Sequence, residues 1–496
     1  MRSISLALSC LTALSSFAVA ELNLSQPLIS KQVLPSTFKP PQVFKNTNLV
    51  RTTNLDKAYP RETINVVIEN IDSKPQSKYY LPFESSLISK VGGLEAKDKK
   101  APEKGAFKVE VVGYDTASPT EFYLIHLPIP LKPKEQQTLS ISYSVLSTLK
   151  PVPAQIGQSD KQYVQYTFSA YTPSTYITEK QKTKLKFPNA DVPDFTKLPA
   201  DLNAENKADP QKQGSSFTYG PYNSIPAGAE QLVSVRYEFT KPITHASLLE
   251  RDIEVSHWGG NLAIEERYWL QNLGAKLKNH FSRVEWQKTQ YMNPPISALK
   301  ALNLPLHPGS LNPYFIDDIG NVSTSRFRPG RKEANLELKP RYPIFGGWKY
   351  SFRVGWDANL STYLRKLSTG ESYVLKVPFL EGPRQPEGIE YARVNLRVIL
   401  PEGATNVKFT TTVPTVDNSI TLHKTFLDTV GRTTLTLTAI NVVDDFRDRD
   451  LIVTYDYPWT AGFRKPIVIT LGVFALFTAT WIVGSLDTSI GKKKTA

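Results

Sequence analysis

The sequence predicts a mainly β protein: two tandem antiparallel β-sandwich-like domains and one C-terminal transmembrane helix. Three observations predict it. Short runs rich in Val, Ile, Thr, Tyr and Phe recur from residue 46 to residue 460, broken by Pro, Gly, Asn and Asp, with few helical stretches between them. Segments of the first half resemble segments of the second about 215 residues further on, as a duplication would leave them. Finally, an uncharged apolar run, "PIVITLGVFALFTATWIVGSL" (466–486), stands just before a short basic tail.

In chain order, residues 1–20, "MRSISLALSCLTALSSFAVA", have the anatomy of a secretory signal: one Arg, an apolar centre, then Ala18-Val19-Ala20. Cleavage is expected between Ala20 and Glu21. Residues 21–45 follow as an extended arm punctuated by proline. A first β domain is expected over 46–242, with "TINVVIENI", "FKVEVVGY", "TLSISYSVL", "QYVQYTFSAY" and "EQLVSVRYEF" as strands. "KPITHASLLERD" reads as the link near 242–250, and a second β domain is expected over 250–460. There "YSFRVGW", "ESYVLKVPF", "YARVNLRVIL", "TTLTLTAI" and "DLIVTYDYP" read as strands, with apolar and polar residues alternating as a half-buried strand requires.

The duplication rests on two pairs. "KTKLKFPNADV" (182–192) resembles "RVNLRVILPEGATNV" (393–407), and "LVSVRYEFTKP" (232–242) resembles "LIVTYDYPWTA" (451–461). It also aligns "AIEERYWLQN" with "TINVVIEN", which favours a strand over the amphipathic helix that the spacing in 262–281 also permits. "PPISALKALNL" (294–304) is expected to be a short helix.

The run 466–486 spans about 31 Å as a helix, the thickness of a hydrocarbon core. Tyr457 and Trp459 precede it as interfacial anchors, and Lys492, Lys493 and Lys494 follow. Arg464 and Lys465 on the near side leave the local charge balance indecisive, so the signal sets the orientation. Residues 21 to about 465 enter the secretory lumen and 487–496 stay in the cytosol. The ending Lys493-Lys494-Thr495-Ala496 is similar to the dilysine signal that retrieves type I membrane proteins to the endoplasmic reticulum and is read by coat proteins; a basic flank attracted to anionic lipid is the plainer alternative.

Composition narrows the function. The sole cysteine, Cys10, leaves with the signal, so the mature chain has no disulfide, thiol nucleophile or cysteine-held metal, and its stability must come from core burial. The net charge of +13 is scattered or confined to loops such as "KDKKAPEK" (97–104) rather than gathered in an aromatic-interleaved stripe. In a lumenal chain that points to lipid headgroups or an acidic partner, not to nucleic acid. Three Asn-x-Ser/Thr sites, Asn23, Asn321 and Asn359, are glycan acceptors in such a chain. Asn321 and Asn359 lie in turn-like polar stretches; Asn23 sits two residues beyond the expected cleavage product's start, where access is poor.

Catalytic patterns are few. Asp448-Arg449-Asp450 has the D-x-D form that holds a divalent metal in some sugar transferases, and Asp317-Asp318 offers a second carboxylate pair. Interleaved arginines and the adjoining Gly320 favour solvated turns for both. His257, in "SHWGG", is the most distinctive histidine, and a packed ring at a strand end is its simpler reading. Neither a nucleophile elbow nor a phosphate-cradling loop occurs.

Several stretches carry a resemblance. "RDIEVSHWGGNLAIEE", "IDDIGNVSTSRF", "RYPIFGGWKYSFRVG", "ILPEGATNV" and "FLDTVGR" in the second half, and "LVRTTNLDKAYPRETINVVIEN" in the first, resemble the ribophorin I family, subunit 1 of the eukaryotic oligosaccharyltransferase complex. The short tail after the apolar run looks fungal. The resemblance implies a non-catalytic subunit, without cofactor, of the complex that moves a preassembled oligosaccharide from dolichyl diphosphate to Asn of Asn-x-Ser/Thr. The implied partners are the other subunits, including the multi-spanning catalytic one, nascent polypeptides and the endoplasmic reticulum membrane. An ER-cycling cargo receptor or lumenal chaperone shares the topology, and a metal-dependent carbohydrate enzyme using Asp448 and Asp450 is the third possibility.

Overall fold

The computed structural model describes residues 33–486, apart from 115–117, 206, 369 and 426–427. The signal, Ala20, Glu21, Asn23, Lys493 and Lys494 therefore lie outside the described residues. The fold is mainly β with one apolar C-terminal helix, as expected.

Two seven-stranded sheets organise it. The first runs in spatial order 211–213, 216–225, 178–186, 44–54, 61–70, 136–145, 91–98. The second, taken from its other edge, runs 417–423, 432–443, 390–402, 244–256, 261–272, 349–359, 311–317. The strand relationships match. Phe44–Asn54 pairs antiparallel with Arg61–Asn70 and parallel with Thr178–Lys186. Thr244–Ser256 pairs antiparallel with Asn261–Asn272 and parallel with Glu390–Glu402. Even the irregularities coincide, with register shifts between Asn46 and Asn48 and between Ala246 and Leu248. Each large sheet thus contains one parallel neighbour pair among antiparallel ones. Residues 244–249, which the sequence analysis placed in the link, belong to the central strand of the second sheet.

Each large sheet buries one face under two smaller sheets. In the first half these are the strands 76–84, 120–131 and 108–111, and the strands 150–151, 163–169, 232–238 and 194–195. In the second half they are 302–306, 334–338 and 326–328, and 364–366, 372–378, 450–456 and 405–411. Alternation dictates which residues go inward: Leu249, Arg251, Ile253 and Val255 point to the core and their neighbours do not. Among the described residues the second half packs one large apolar cluster from Ala246 to Ala461 with a small satellite at Phe345, while the first divides into two large clusters and a small one at Phe122. At about 1.5–3 kcal/mol for each buried large apolar side chain, cores of this size hold without a disulfide.

The aligned strand ends carry a shared device. Asn70 Nδ2 donates to the carbonyls of Leu131 (2.7 Å) and Lys74 (2.8 Å), and its Oδ1 accepts from the Asp72 amide. Asn272 Nδ2 donates to the carbonyls of Ile344 (3.0 Å) and Ser297 (2.7 Å), and its Oδ1 accepts from the Gly274 amide. Both tie the end of a central strand to the loop beyond it.

One helix is displaced from its expected position. Residues 294–301 are not helical; Leu299 bridges to Ile344, and 302–306 is a strand. Pro294 and Pro295 supply no amide donors, buried Ile296 and Ala298 pack with Phe345, and Leu299 joins the main core of the second half. The helix instead occupies Arg283–Met292. Ser282 caps it, accepting from the Glu285 amide, and Asn293 ends it in the left-handed region at φ 46°.

The arm from Val33 reaches back onto the first half. Val33–Leu34 pairs parallel with Gly113–Tyr114, and the Phe38 ring lies 5.6 Å from Tyr80 and 6.4 Å from Phe122.

Candidate functional site

The carboxylates of "DDFRDRD" do not converge on an open site. Asp444 and Asp445 instead join a seam between the two halves, while Asp448 is exposed. Lys57 Nζ, from the turn after the 44–54 strand, donates to Asp444 (2.9 Å) and Asp445 (2.7 Å). The buried Tyr59 hydroxyl donates to Asp444 at 2.5 Å; burial first, then Asp444, pushes that hydroxyl far above its ordinary range, so it donates and does not ionise. Arg449 pairs with Glu95, and Phe446 packs on Gly93, whose φ of +62° no side chain would easily adopt there. Asn441 Nδ2 donates to the carbonyls of Ser89 (2.7 Å) and Val91 (3.0 Å).

Further along, Glu390 is fully buried and accepts from the Ser147 amide and hydroxyl (2.9 Å each), with His245 Nδ1 at 2.7 Å. A short parallel pair, 155–156 with 276–277, closes the far end. Burial raises the strength of each polar contact and the cost of leaving any unmade, so the seam holds the halves together.

A polar cleft of about 380 Å³ opens where the seam meets the outer face of the first sheet. Thr52, Ser142 and Ser144 line one side and Asp445, Phe446 and Arg449 the other. Its charges are mixed, with Arg61, Lys186 and Arg449 against Glu62, Glu95 and Asp445.

Of the other sequence candidates, Asp450, Asp317 and His257 are engaged. Asp450 pairs with Lys376 at 2.9 Å on the surface. Asp317 is buried and accepts from Arg341 Nε (2.5 Å), the Tyr350 hydroxyl (3.1 Å) and the amides of Ile319 and Gly320 (3.0 Å each). Against the burial that raises it, Arg341 and these amides hold its carboxyl below the usual range. Asp318 stays exposed, so the pair is divided between a turn staple and solvent. His257 packs as a ring at a strand end, its Nε2 2.7 Å from the Tyr455 hydroxyl and its centroid 4.5 Å from Tyr457 and 4.7 Å from Tyr373. Burial lowers its pKa to about 4, which keeps the imidazole neutral. Among the described residues no group of three His, Cys, Asp or Glu side chains is arranged to hold a metal ion.

Asn321 and Asn359 are both exposed. Asn359 caps the short helix Leu360–Tyr363, its Oδ1 accepting from the Ser361 amide and hydroxyl.

The apolar helix Arg464–Ser485 leaves the second half without a slack linker. Lys465 pairs with Asp428 at 3.0 Å, Ala461 is buried, and Gly403 lies against Ala461 and Arg464 with no room for a side chain. Beyond that joint every helix side chain is exposed or half-exposed, as a span awaiting lipid requires.

Two residue sets escaped the sequence analysis. The buried arginines Arg51 and Arg251 sit at inward positions of alternating strands, beside Leu49 and Ile253, and that parity was the available signal. The seam contacts join residues far apart in sequence, from Gln155 with Lys276 to Lys57 with Asp445, and leave no local mark.

The fold and its surroundings define a membrane-anchored protein of two matching β halves. Asp317, Asp444 and His257 are spent on internal contacts. The Ribophorin I family matches residues 44–484, and the chain belongs to that family. Two relatives are named "Dolichyl-diphosphooligosaccharide--protein glycosyltransferase subunit 1". That of Schizosaccharomyces pombe is 29% identical over 89% of this chain and 95% of its own length. That of Caenorhabditis elegans is 32% identical over 90% and 73%. An Arabidopsis thaliana protein, named as subunit 1B, is 30% identical over 92% and 96%. Among solved structures, native yeast LTA4 hydrolase aligns with a TM-score of 0.28 and 11% identity over 44% of this chain and 33% of that one, too slight a likeness to carry any argument.

Proposed function

We propose that this chain is a non-catalytic subunit of the oligosaccharyltransferase complex, one that braces the complex and handles the polypeptide acceptor. The observation that carries this reading is that relatives from fungus, worm and plant, matched over about nine-tenths of the chain, are named as subunit 1 or 1B of that glycosyltransferase. The side-chain geometry supports the non-catalytic part. Asp317, Asp444, Asp450 and His257 each have a structural partner that a catalytic role would have to displace.

The handling role draws on an open sheet edge. Among the described residues, Asp417–His423 pairs only with the 432–443 strand, and it is exposed along nearly its whole length. Its free backbone groups suit an extended acceptor chain or a neighbouring subunit's strand. In this reading the two halves occupy the lumen of the endoplasmic reticulum, the signal is cleaved after Ala20, Asn321 and Asn359 carry glycans, and Lys493 and Lys494 serve retrieval through coat proteins. The multi-spanning catalytic subunit and nascent polypeptides are its partners.

Depleting the chain is expected to lower occupancy of many Asn-x-Ser/Thr sites across secreted proteins. Normal transfer to every acceptor by a complex purified without it would remove the support for this role.

A further inference from the structure

The "SHWGG" turn has no part in the seam or the sheet edge, yet its Trp258 is 75% exposed. An exposed indole standing alone means little; one that shares its place with other exposed apolar side chains marks a contact surface. The topology says where it points. The strands 244–256 and 390–402 are parallel, with Glu254 opposite Ile399, so the turns that follow them emerge at one end of the sheet. The second of those turns holds Gly403, against which the start of the apolar helix packs. The Trp258 turn and the membrane helix therefore leave the sheet together. His257 fastens them further, through its ring contact with Tyr457, two residues before Trp459.

The chemistry of this end is that of a bilayer interface. Trp459 is 69% exposed and Phe463 51% exposed, with ring centroids 5.5 Å apart. Leu367 is exposed beside Lys366, whose Nζ lies 5.7 Å from the Tyr373 ring that also packs on His257. Amphipathic indoles flanked by lysine and arginine are the side chains that settle among headgroups, apolar body inward and charge outward.

We propose that Trp258, together with Trp459 and Phe463, inserts into the lipid headgroup region as a second membrane contact beside the helix, fixing how the β halves stand on the bilayer. One span allows a body to swivel about its axis; a second anchor one strand away removes that freedom. The proposal rests on the 464–485 helix spanning the membrane, and the test separates the two.

With Cys10→Ser removing the only native thiol, the full chain is prepared with one cysteine at a time, labelled with an environment-sensitive nitrobenzoxadiazole. The sites are Trp258→Cys, Phe477→Cys within the helix, and Lys99→Cys on an exposed loop of the first half. Each is reconstituted in phosphatidylcholine vesicles with or without nitroxide-labelled phosphatidylcholine. Quenching by the nitroxide lipid at 477 and at 258, several-fold above that at 99, is the expected result. Quenching at 477 with 258 no higher than 99 overturns the second contact while the span stands. Loss of quenching at all three overturns the span and the proposal with it. A 258 probe shielded from both nitroxide lipid and aqueous iodide would show protein covering the turn, and also overturns it.

Discussion

Arg51 and Arg251 occupy equivalent places in the two large sheets, each three residues past a matching register shift and each buried in a charge cluster. Arg51 grips Glu62 through Nε (2.9 Å) and Nη2 (2.6 Å), and the hydroxyls of Tyr143 (2.5 Å) and Tyr166 (2.8 Å) complete that carboxylate's partners. Arg251 pairs with Glu266 and, through Nη2 at 2.8 Å, with Glu381, while Tyr268 donates to Glu266. The arginine has kept its position and the carboxylates have not. Burial pushes the Glu381 carboxyl up against the pull of Arg251, and the neighbouring Glu266 adds to the rise. Glu62, buried but with Arg51 to itself, is held below the usual range.

Removing one partner from such a cluster strands a buried charge. Arg251→Met is expected to destabilise the protein by about 3–5 kcal/mol, read from chemical denaturation in detergent. Replacing Arg51 and Glu62 together by apolar residues of similar volume is expected to cost far less than Arg51→Met alone. Equal losses for the double and single variants would show that the pair is not the unit.

The seam gives a steric prediction. A Cβ at Gly92 would stand 2.0 Å from the carbonyl oxygen of Asn441, so Gly92→Ala must push the halves apart. The expected cost is about 1–3 kcal/mol, with proteolysis appearing between the halves before either is degraded. Wild-type protease resistance would mean the contact yields without loss.

His257 gives a pH prediction with a definite sign. Its folded pKa of about 4 lies below the ordinary value of 6.5, so the unfolded chain takes up the proton first as pH falls. Stability is therefore expected to decline from pH 6.5 to about 4 and then to level off with respect to this group. His257→Gln should flatten that part of the profile, and an unchanged slope would assign it elsewhere.

The D-x-D alternative is also open to trial. Asp448→Asn and Asp450→Asn are expected to leave glycan transfer by the purified complex unchanged. Asp450 loses only an exposed pair with Lys376, worth under about 1 kcal/mol. Abolished transfer with intact folding would place a metal site here.

Much of the architecture was legible because it follows from alternation. "TINVVIEN" and "AIEERYWLQN" show it, and both became central strands ending in the same asparagine staple. The resemblance of 182–192 to 393–407 also fell on equivalent strands, the parallel neighbours of 44–54 and 244–256. What escaped was whatever alternation does not encode. The helix 283–292 is polar nearly all round, so its apolar period is faint, and only Ser282 with Glu285 and the Asn293-Pro294 stop mark it. Arg51 and Arg251 read as surface residues until the parity of their strands is counted. The seam depends on pairs such as Lys57 with Asp444, which only the assembled halves bring within reach.

The most direct test is recovery of the full chain from membranes in mild detergent, with its companions identified by mass and the eluate assayed for glycan transfer to an acceptor peptide. The account predicts a multi-spanning transferase in stoichiometric amount and transfer activity in the same fraction. A chain recovered alone, or one that turns over a lipid-linked sugar donor with no companion present, would contradict it.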